Sequence, residues 1–324
     1  MGTVILGTGS CLPEKRVTNH DLEEIVDTSA EWIQSRTGIN ARRISGKGEQ
    51  TYNLATEASR KALLMSGIDA KELDIIVVAT ISSHMLMPSC ACFVQKELGA
   101  TKAFAYDVNA ACSGFLYALD LGDKYVRADS EKKILIVGAE VLSARLNWAD
   151  RNTCILFGDG AGAVIIGHQE GDCGYIGSNF FSDGNLWKLL YMHAPKSNNP
   201  ELCIEENPGS HIIMEGREIF KYAVKAMEDA VRGLLAKEQI SLDSVKLVIP
   251  HQANIRILNN LIERLEIPKE KVFINVAEYG NTSAASIPIA LDEAKREGRI
   301  SAGDTILFCT FGGGLTWGAT LIKW

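Results

Sequence analysis

The sequence repeats its own order of helices and strands. Residues 56–79 read as a helix, a turn with Ile and Asp and an apolar strand, and residues 224–249 read in the same order. Two further pairs of segments match in the same way, and the offset between partners stays near about 170 residues, which is the signature of an internal duplication. Apolar strand-like runs alternate with helical patterns in both copies. We therefore expect an α/β fold of two halves, residues 1–172 and 173–324.

The composition is that of an ordinary soluble globular protein, with 46% hydrophobic and 23% charged residues. The sequence has no run of about 18 apolar residues, which argues against membrane insertion. It starts without the basic region of a signal peptide, so we expect a cytoplasmic protein. The net charge of -7 argues against nucleic-acid binding. The 8 cysteines are scattered without a CxxC pair, which predicts reduced thiols and no metal site.

The stretch DVNAACSGF places Cys112 between a strand-like run and a helical pattern. The matching junction of the second half, in YGNTSAASIP, carries Asn281. Such junctions lie at the carboxyl ends of strands, where open α/β folds place their ligands. A helix N-terminus also favours the thiolate form of a cysteine. A lone cysteine is often only a small buried hydrophobe, and that interpretation of Cys112 stays open on these residues alone.

A nucleophilic cysteine usually works with a polar or basic partner. Of the 6 histidines, His251 follows an apolar strand directly, in VIPHQANIRIL, and so shares the strand-end position of Cys112 and Asn281. His84 lies in a similar position of the first half and is the competing candidate. The glycine-rich segment 311–318, FGGGLTWG, follows another apolar strand and can offer backbone N–H groups to an oxyanion.

Together, these segments resemble the β-ketoacyl-acyl-carrier-protein synthase III family, condensing enzymes that start bacterial fatty-acid synthesis. The resemblance covers essentially the whole chain and is carried by ILGTGSCLPEKRVTN, EWIQSRTGI, DVNAACSGF, LFGDGAGAV, HQANIRI, YGNTSAASIP and FGGGLTWG. It implies a thiolase-like fold in which two duplicated halves form a layered α-β-α-β-α core. It also implies a homodimer that acts on acyl-coenzyme A and acyl carrier protein. No cofactor is expected, because acyl-coenzyme A is a substrate.

The resemblance implies a catalytic site of Cys112, His251 and Asn281. Cys112 would take the acyl group from acyl-coenzyme A. His251 and Asn281 would stabilise the enolate that forms when malonyl-acyl-carrier-protein loses carbon dioxide. The backbone N–H groups of Cys112 and Gly314 would hold the tetrahedral oxyanion, and Phe311 would keep the malonyl carboxylate poorly solvated.

The resemblance also implies which residues bind the substrates. Those for coenzyme A are Thr28, Trp32, Arg36, Arg151 and Asn254. Trp32 and Arg151 would lie on the two faces of the adenine, Arg36 would meet phosphate, and Asn254 the pantetheine arm. Those for the acyl chain are Met87, Leu142, Phe157 and Leu189. Many family members carry Phe where this chain has Met87, a residue that reaches into the partner subunit's pocket, so the preferred primer length stays open.

Two surface features complete the expectations. Basic residues recur every four positions in EGREIFKYAVKAM, which places Arg217, Lys221 and Lys225 on one helical face. Such a face is usually only solvated. The resemblance, however, places docking of the acidic acyl carrier protein near Lys221 and Arg256. The segment 193–209 reads as a surface loop that is longer than in some relatives.

Two alternatives to this function stay open on the sequence. One is a related acyltransferase, or a starter synthase of specialised metabolism, within the same family. The other is a coenzyme-A-binding or structural protein in which Cys112 is inert.

Overall fold

The structure, a computed structural model, describes residues 2–199, 201 and 209–324. The strands in this part of the chain are β1 (Gly2–Cys11), β2 (Arg16–Thr18), β3 (Ala41–Arg43), β4 (Ile75–Ala79), β5 (Phe104–Val108), β6 (Ile134–Glu140), β7 (Gly160–Gln169), β8 (Gly174–Ser182), β9 (Leu190–Met192), β10 (Ile212–Met214), β11 (Leu247–Pro250), β12 (Thr305–Gly312) and β13 (Thr316–Lys323). The α-helices are α1 (Asn19–Glu23), α2 (Ala30–Thr37), α3 (Thr51–Ser66), α4 (Cys90–Leu98), α5 (Gly114–Ala128), α6 (Gly216–Glu238), α7 (Ile255–Leu265), α8 (Val276–Tyr279) and α9 (Ser286–Arg296). The predicted loop at 193–209 lies partly outside the described residues.

Two mixed sheets carry the fold, and each takes its strands from one part of the chain. The first has the order β1-β7-β6-β4-β5, and the second has the order β8-β13-β12-β11. Within the first, β4 is parallel to β5 and β6, whereas β7 is antiparallel to β1 and β6. The second repeats this pattern, with β11 parallel to β12 and β13 antiparallel to β12 and β8. The sheets span residues 2–169 and 174–323. The division into halves at residues 172 and 173 stays a prediction.

Three pairs of matching elements keep the same offset, whereas β13 begins 156 residues after β7. β8 begins at residue 174 against residue 2 for β1, β11 at 247 against 75 for β4, and α9 at 286 against 114 for α5. The offset is 172 residues in each case. Residues can therefore be paired across the two halves one by one, which permits a direct comparison of their chemistry.

One strand-like run of the second half does not form a strand. The run VFINV in the second half matches β5 in its apolar pattern, but it contacts β11 only through a bridge between Val248 and Val272. The neighbouring β11 ends in Pro250, which has no N–H to donate to a further ladder bond. The side chain of Gln252 instead donates to the Phe273 carbonyl at 3.1 Å and accepts the Asn275 N–H at 3.0 Å. The ladder stops there, and the short helix α8 follows.

Helices α5 and α9 form the middle layer. Phe115 of α5 and Leu291 of α9 share one apolar cluster with Ile75 and Ile136 of the first sheet and Phe308 of the second. The outer face of the first sheet packs against α3 and α4, and that of the second against α6 and α7. The layers thus run α-β-α-β-α, as predicted. Both faces of each sheet are covered, which explains why the central strands are almost entirely apolar.

None of the helices in the described residues is both long enough and apolar enough to cross a membrane.

Candidate active site

Two equivalent turns, one before α5 and one before α9, meet in the centre of the molecule. A 3-10 turn precedes α5 at Ala111–Ser113, and another precedes α9 at Ser283–Ala285. Each turn begins at a non-glycine residue with positive φ, +44° at Ala111 and +50° at Ser283. Such conformations cost of the order of 1 kcal/mol or more and cluster at functional sites. Cys112 occupies the middle of the first turn, and Ala284 occupies the same place in the second.

Cys112 packs against the end of β12. Its carbonyl accepts a hydrogen bond from Thr310 Oγ1 at 3.0 Å. A Cβ atom on Gly312 would lie 2.8 Å from the Cys112 backbone nitrogen, so only glycine permits this approach. The residue of the glycine-rich segment that touches Cys112 is thus Gly312. The role of the Gly314 N–H as an oxyanion donor stays a prediction.

His251 reaches the same end of β12 from the other side. Its backbone N–H donates to the Cys309 carbonyl at 2.8 Å, one residue before Thr310. The ring is buried, and its Nδ1 atom lies 2.7 Å from the Ser286 hydroxyl at the start of α9. Burial lowers the pKa of His251 to about 3. The imidazole is therefore neutral near pH 7 and can act as a hydrogen-bond donor through a single ring nitrogen.

Asn281 is fixed by both its backbone and its side chain. Its N–H donates to the Leu156 carbonyl at 2.8 Å, and its carbonyl accepts from the Gly158 N–H at 3.0 Å. The side-chain oxygen Oδ1 accepts the Ser283 N–H at 2.8 Å. The Ser283 N–H can only donate, so the amide atom that it contacts is the oxygen. The Nδ2 amino group is therefore the part of the Asn281 amide that Ser283 leaves unused. Asn281 can therefore present a donor, as His251 can.

The electrostatics of Cys112 differ from the sequence expectation. The pKa of the Cys112 thiol is raised to about 12, chiefly by burial; the Ser283 hydroxyl lowers it and the nearby Glu140 raises it. The predicted thiolate is thus wrong for the resting protein. The α-helix begins only at Gly114, after the 3-10 turn, and the loss of water around the sulfur outweighs the helix N-terminus. A neutral thiol and a neutral imidazole therefore share the site.

Glu140 is a buried group near the site that the sequence analysis missed. It ends β6 with no exposed surface and accepts hydrogen bonds from Thr80 Oγ1 at 3.1 Å, from the Ile81 N–H at 3.2 Å and from the Ser82 hydroxyl. Burial raises its pKa to about 7, against the effect of these donors. The sequence signal was available, since one acidic residue ends the otherwise apolar run ILIVGAE. Ser286, whose hydroxyl contacts His251, was also missed, and nothing in the sequence around it singles it out.

The expected coenzyme A residues lie on α2 or just before it, or contact these residues. The Arg151 guanidinium lies over the Trp32 ring, 5.2 Å from its centroid, which leaves no gap for an adenine between them. The Thr28 hydroxyl is buried and has no hydrogen-bond partner among the residues that the structure describes, so it is available to a ligand. Asn254 accepts the Arg256 N–H at 2.8 Å and donates to the Arg36 carbonyl at 3.2 Å, so it joins α7 to α2.

The expected acyl-pocket residues lie in different parts of the structure. Leu142 and Phe157 belong to one buried cluster, and Phe157 also bridges to Asn281. Leu189 packs against a second cluster that contains the buried Phe311. The side chain of Met87 lies apart from them and is 85% exposed in the single chain.

The competing histidine does not join the site. His84 packs against the rings of both Tyr52 and Phe93, with centroid distances of 5.0 and 4.6 Å. We interpret it as a packing residue. Within the described ranges, no three side chains of His, Cys, Asp or Glu come together in a way that could hold a metal ion.

The predicted basic face lies on α6. Lys221 pairs with Glu218 at 2.7 Å and Lys225 with Asp229 at 2.9 Å, so part of its charge is balanced within the helix. Arg256 of α7 lies over the ring of Phe220, 5.7 Å from its centroid, and therefore adjoins this face.

Two halves of one fold face each other, with a thiol on one side and an imidazole and an amide on the other. This arrangement places the protein among the thiolase-like condensing enzymes. Two family models match, described as 3-oxoacyl-[acyl-carrier-protein (ACP)] synthase III over residues 106–184 and as its C terminal over residues 235–324. The beta-ketoacyl-[acyl-carrier-protein] synthase III of Desulfotalea psychrophila is 60% identical over 324 residues, which is 100% of both chains. The chain belongs to the β-ketoacyl-acyl-carrier-protein synthase III family.

Solved structures agree with this assignment. The crystal structure of 3-oxoacyl-[acyl-carrier-protein] synthase III from Aquifex aeolicus is 48% identical, with a TM-score of 0.93 and 100% of both chains covered. The priming β-ketosynthase from the R1128 polyketide biosynthetic pathway is 32% identical, also with a TM-score of 0.93, over 99% of this chain and 96% of the other.

Proposed function

We propose that the protein starts fatty-acid synthesis by joining an acyl group from acyl-coenzyme A to the malonyl group of malonyl-acyl-carrier-protein. The observation that carries this proposal is the meeting of Cys112 and His251 at one end of β12, with the Asn281 amide held beside the second turn. A nucleophile and two hydrogen-bond donors are what a two-step transfer and condensation requires.

In the first step, Cys112 Sγ attacks the thioester carbonyl of acyl-coenzyme A. The Sγ–C bond forms, the bond from carbon to the coenzyme A sulfur breaks, and the thiol proton ends on that departing sulfur. The thiol and the imidazole both start neutral, so His251 need not be charged for this exchange. The backbone N–H groups of Cys112 and Gly314 are the donors that we assign to the tetrahedral oxyanion.

In the second step, the carboxylate of malonyl-acyl-carrier-protein leaves as carbon dioxide, and its bonding electrons pass to the enolate. Hydrogen bonds from His251 and Asn281 stabilise the enolate oxygen, and a preorganised donor of this kind contributes about 3 kcal/mol. The enolate carbon attacks the acyl group on Cys112, the Sγ–C bond breaks, and the sulfur takes up a proton. The buried ring of Phe311 would keep the carboxylate poorly solvated and so favour its departure.

The binding residues are part of the proposal. An adenine would separate Arg151 from Trp32 and take the Thr28 hydroxyl as a partner, while Arg36 would meet phosphate and Asn254 the pantetheine arm. Leu142, Phe157 and Leu189 would line the acyl pocket. The enzyme would need no cofactor and would act in the cytoplasm.

We also propose a homodimer in which Met87 completes the partner subunit's acyl pocket. Met85, Leu86 and Met87 are consecutive apolar residues with 48%, 86% and 85% exposure, and such a patch favours an interface. A monomer in sedimentation experiments that retains full activity would contradict this.

Mass spectrometry tests the function directly. The protein incubated with acetyl-coenzyme A should gain one acetyl group on the peptide that contains Cys112, and lose it with release of carbon dioxide when malonyl-acyl-carrier-protein is added. Cys309→Ala is the matched control, because Cys309 is also a buried thiol whose pKa burial raises to about 12. No acyl mass with any acyl-coenzyme A would overturn the proposal.

The likeness to the priming β-ketosynthase favours one second candidate, a starter synthase for specialised metabolism. A panel of acyl-coenzyme A primers distinguishes the two functions, since an enzyme of fatty-acid synthesis should accept short primers with malonyl-acyl-carrier-protein.

A further inference from the structure

We propose that Ser286 is a positioning residue that holds His251 in the tautomer with its proton on Nε2, and thereby supplies the donor for the decarboxylation step. This inference rests on the proposed function. It concerns a residue to which the family resemblance assigned no role.

The hydrogen bonds at Ser286 support this direction. Its hydroxyl lies 2.7 Å from His251 Nδ1, and at 3.4 Å it also accepts the Gln252 N–H, which can only donate. In the part of the chain that the structure describes, Nδ1 is the acceptor within reach of the hydroxyl proton. Ser286 and His251 are 2% and 3% exposed, so water offers little competition. A neutral imidazole that accepts at Nδ1 carries its proton at Nε2.

The duplication provides an independent argument. The residues equivalent to His251 and Ser286 in the first half are Ala79 and Gly114, which also end a strand and begin a helix. A Cβ atom on Gly114 would lie 3.0 Å from the Ala79 Cβ, so the same close contact recurs without any polar atom. The fold therefore does not need a hydrogen bond at this place. The polar pair occurs only in the half that carries the donors.

The state of the imidazole makes its tautomer important. Burial keeps the pKa of His251 far below neutrality, so the ring has one N–H proton to place. With that proton on Nδ1, the bare Nε2 would offer a lone pair to the enolate oxygen, and two lone pairs would oppose each other. The Ser286 hydroxyl excludes this arrangement by donating to Nδ1.

Ser286→Ala tests the proposal when the two half-reactions are measured separately. Carbon dioxide release from malonyl-acyl-carrier-protein by the acyl-enzyme should fall about tenfold to thirtyfold, the effect of losing one well-placed hydrogen bond. Acylation of Cys112 should change by less than about twofold. Nitrogen NMR of histidine-labelled protein should show His251 as an Nε2–H tautomer in the wild type and a mixture in the variant. The His251 signals are assigned by their absence in His251→Asn.

Three further variants make the outcome decisive. Ser59→Ala is the matched control, because its buried helical hydroxyl donates to the Ala55 carbonyl at 2.6 Å, far in sequence from His251, and both half-reactions should be unchanged. Ser286→Thr keeps the hydroxyl and should restore the tautomer and most of the rate. If Ser286→Ala does not fold, Ser286→Gly copies the residue of the first half and takes its place.

The inference is overturned if the hydroxyl-free variant keeps the wild-type rate of carbon dioxide release, or if its tautomer is unchanged while that rate falls. A wild-type protein that forms no acyl-enzyme would instead contradict the proposed function itself, and the NMR measurement would still decide the tautomer.

Discussion

The two halves share one frame and differ in the side chains at its centre. The first half carries Cys112 where the second has Ala284, and the second carries His251 where the first has Ala79. Asn281 is buried, whereas its counterpart Asn109 is exposed. The duplication thus supplies two equivalent sets of positions that face each other. The nucleophile was placed on one of them and the donors on the other.

Each of the two turns packs against a strand of the other half. The first turn packs against β12 of the second half, where Thr310 donates to the Cys112 carbonyl. The second turn packs against β6 of the first half, where a Cβ atom on Gly138, the counterpart of Thr310, would lie 2.2 Å from the Ala284 carbonyl oxygen. Each half therefore completes the site of the other, and the site depends on their packing.

The largest effect should follow from moving the nucleophile. Cys112→Ala should lower acylation by about a thousandfold or more, since no other thiol shares its place. If position alone decided reactivity, Ala284→Cys in the same chain would restore the acyl mass. We expect no restoration, because His251 and the glycine-rich segment have no counterparts around Ala284. Recovery of acylation in the double variant would show that the halves are chemically interchangeable.

The next effect concerns the last residues of the matching strands β12 and β6, where Gly312 is the counterpart of Glu140. Gly312→Ala should lower the free energy of unfolding by about 2 kcal/mol or more, because its Cβ would meet the Cys112 backbone at 2.8 Å. Acylation should fall as well. Denaturant unfolding measures the first and intact mass the second. Gly184→Ala is the control, since among the described residues no atom beyond its chain neighbours lies within 4 Å of its Cβ position. Equal stability of the two variants would refute the close approach.

Glu140 should make the stability of the protein depend on pH. Its pKa is about 7 in the folded protein against 4.5 for an ordinary glutamate, so its contribution is complete below about pH 4.5 and is lost as the pH rises through 7. Relative to Glu140→Gln, the wild type should lose up to about 3 kcal/mol of unfolding free energy between pH 5 and 8. Denaturant titrations at both pH values measure this. A difference that does not change with pH would mean that Glu140 stays ionised throughout.

The smallest effect concerns the outer helices α3, α6 and α7. Lys221→Glu with Arg256→Glu should lower kcat/KM for malonyl-acyl-carrier-protein by about tenfold and flatten its salt dependence, since rim charges mainly steer encounter. Acylation by acetyl-coenzyme A should change little. Arg60→Glu on α3 is the matched control, because Arg60 pairs with Glu57 at the same helical spacing as Lys221 with Glu218. Equal losses in both half-reactions, or none, would contradict docking at α6.

Much of the frame could be predicted from the sequence because buried strands are apolar runs and the duplication repeats them. Cys112, His251 and Asn281 could be singled out for the same reason, since each follows such a run. The protonation state of the Cys112 thiol could not be predicted, because its pKa depends on how much water the packing of the two turns removes. The role of Ser286 was equally hidden, since its partner is 35 residues away and is brought near only by α9. The run VFINV does not form a strand because Pro250, at the end of the neighbouring β11, has no N–H for a further ladder bond.

The division of labour between the halves is tested most directly by measuring both half-reactions in His251→Ala and Asn281→Ala, with intact mass for acylation and carbon dioxide release for decarboxylation. We predict that both variants form the acyl-enzyme at near the wild-type rate but release carbon dioxide about a hundredfold or more slowly, because they lack only donors to the enolate. If His251→Ala also fails to acylate Cys112, the imidazole serves as the base for the thiol, and the account of a neutral donor is wrong.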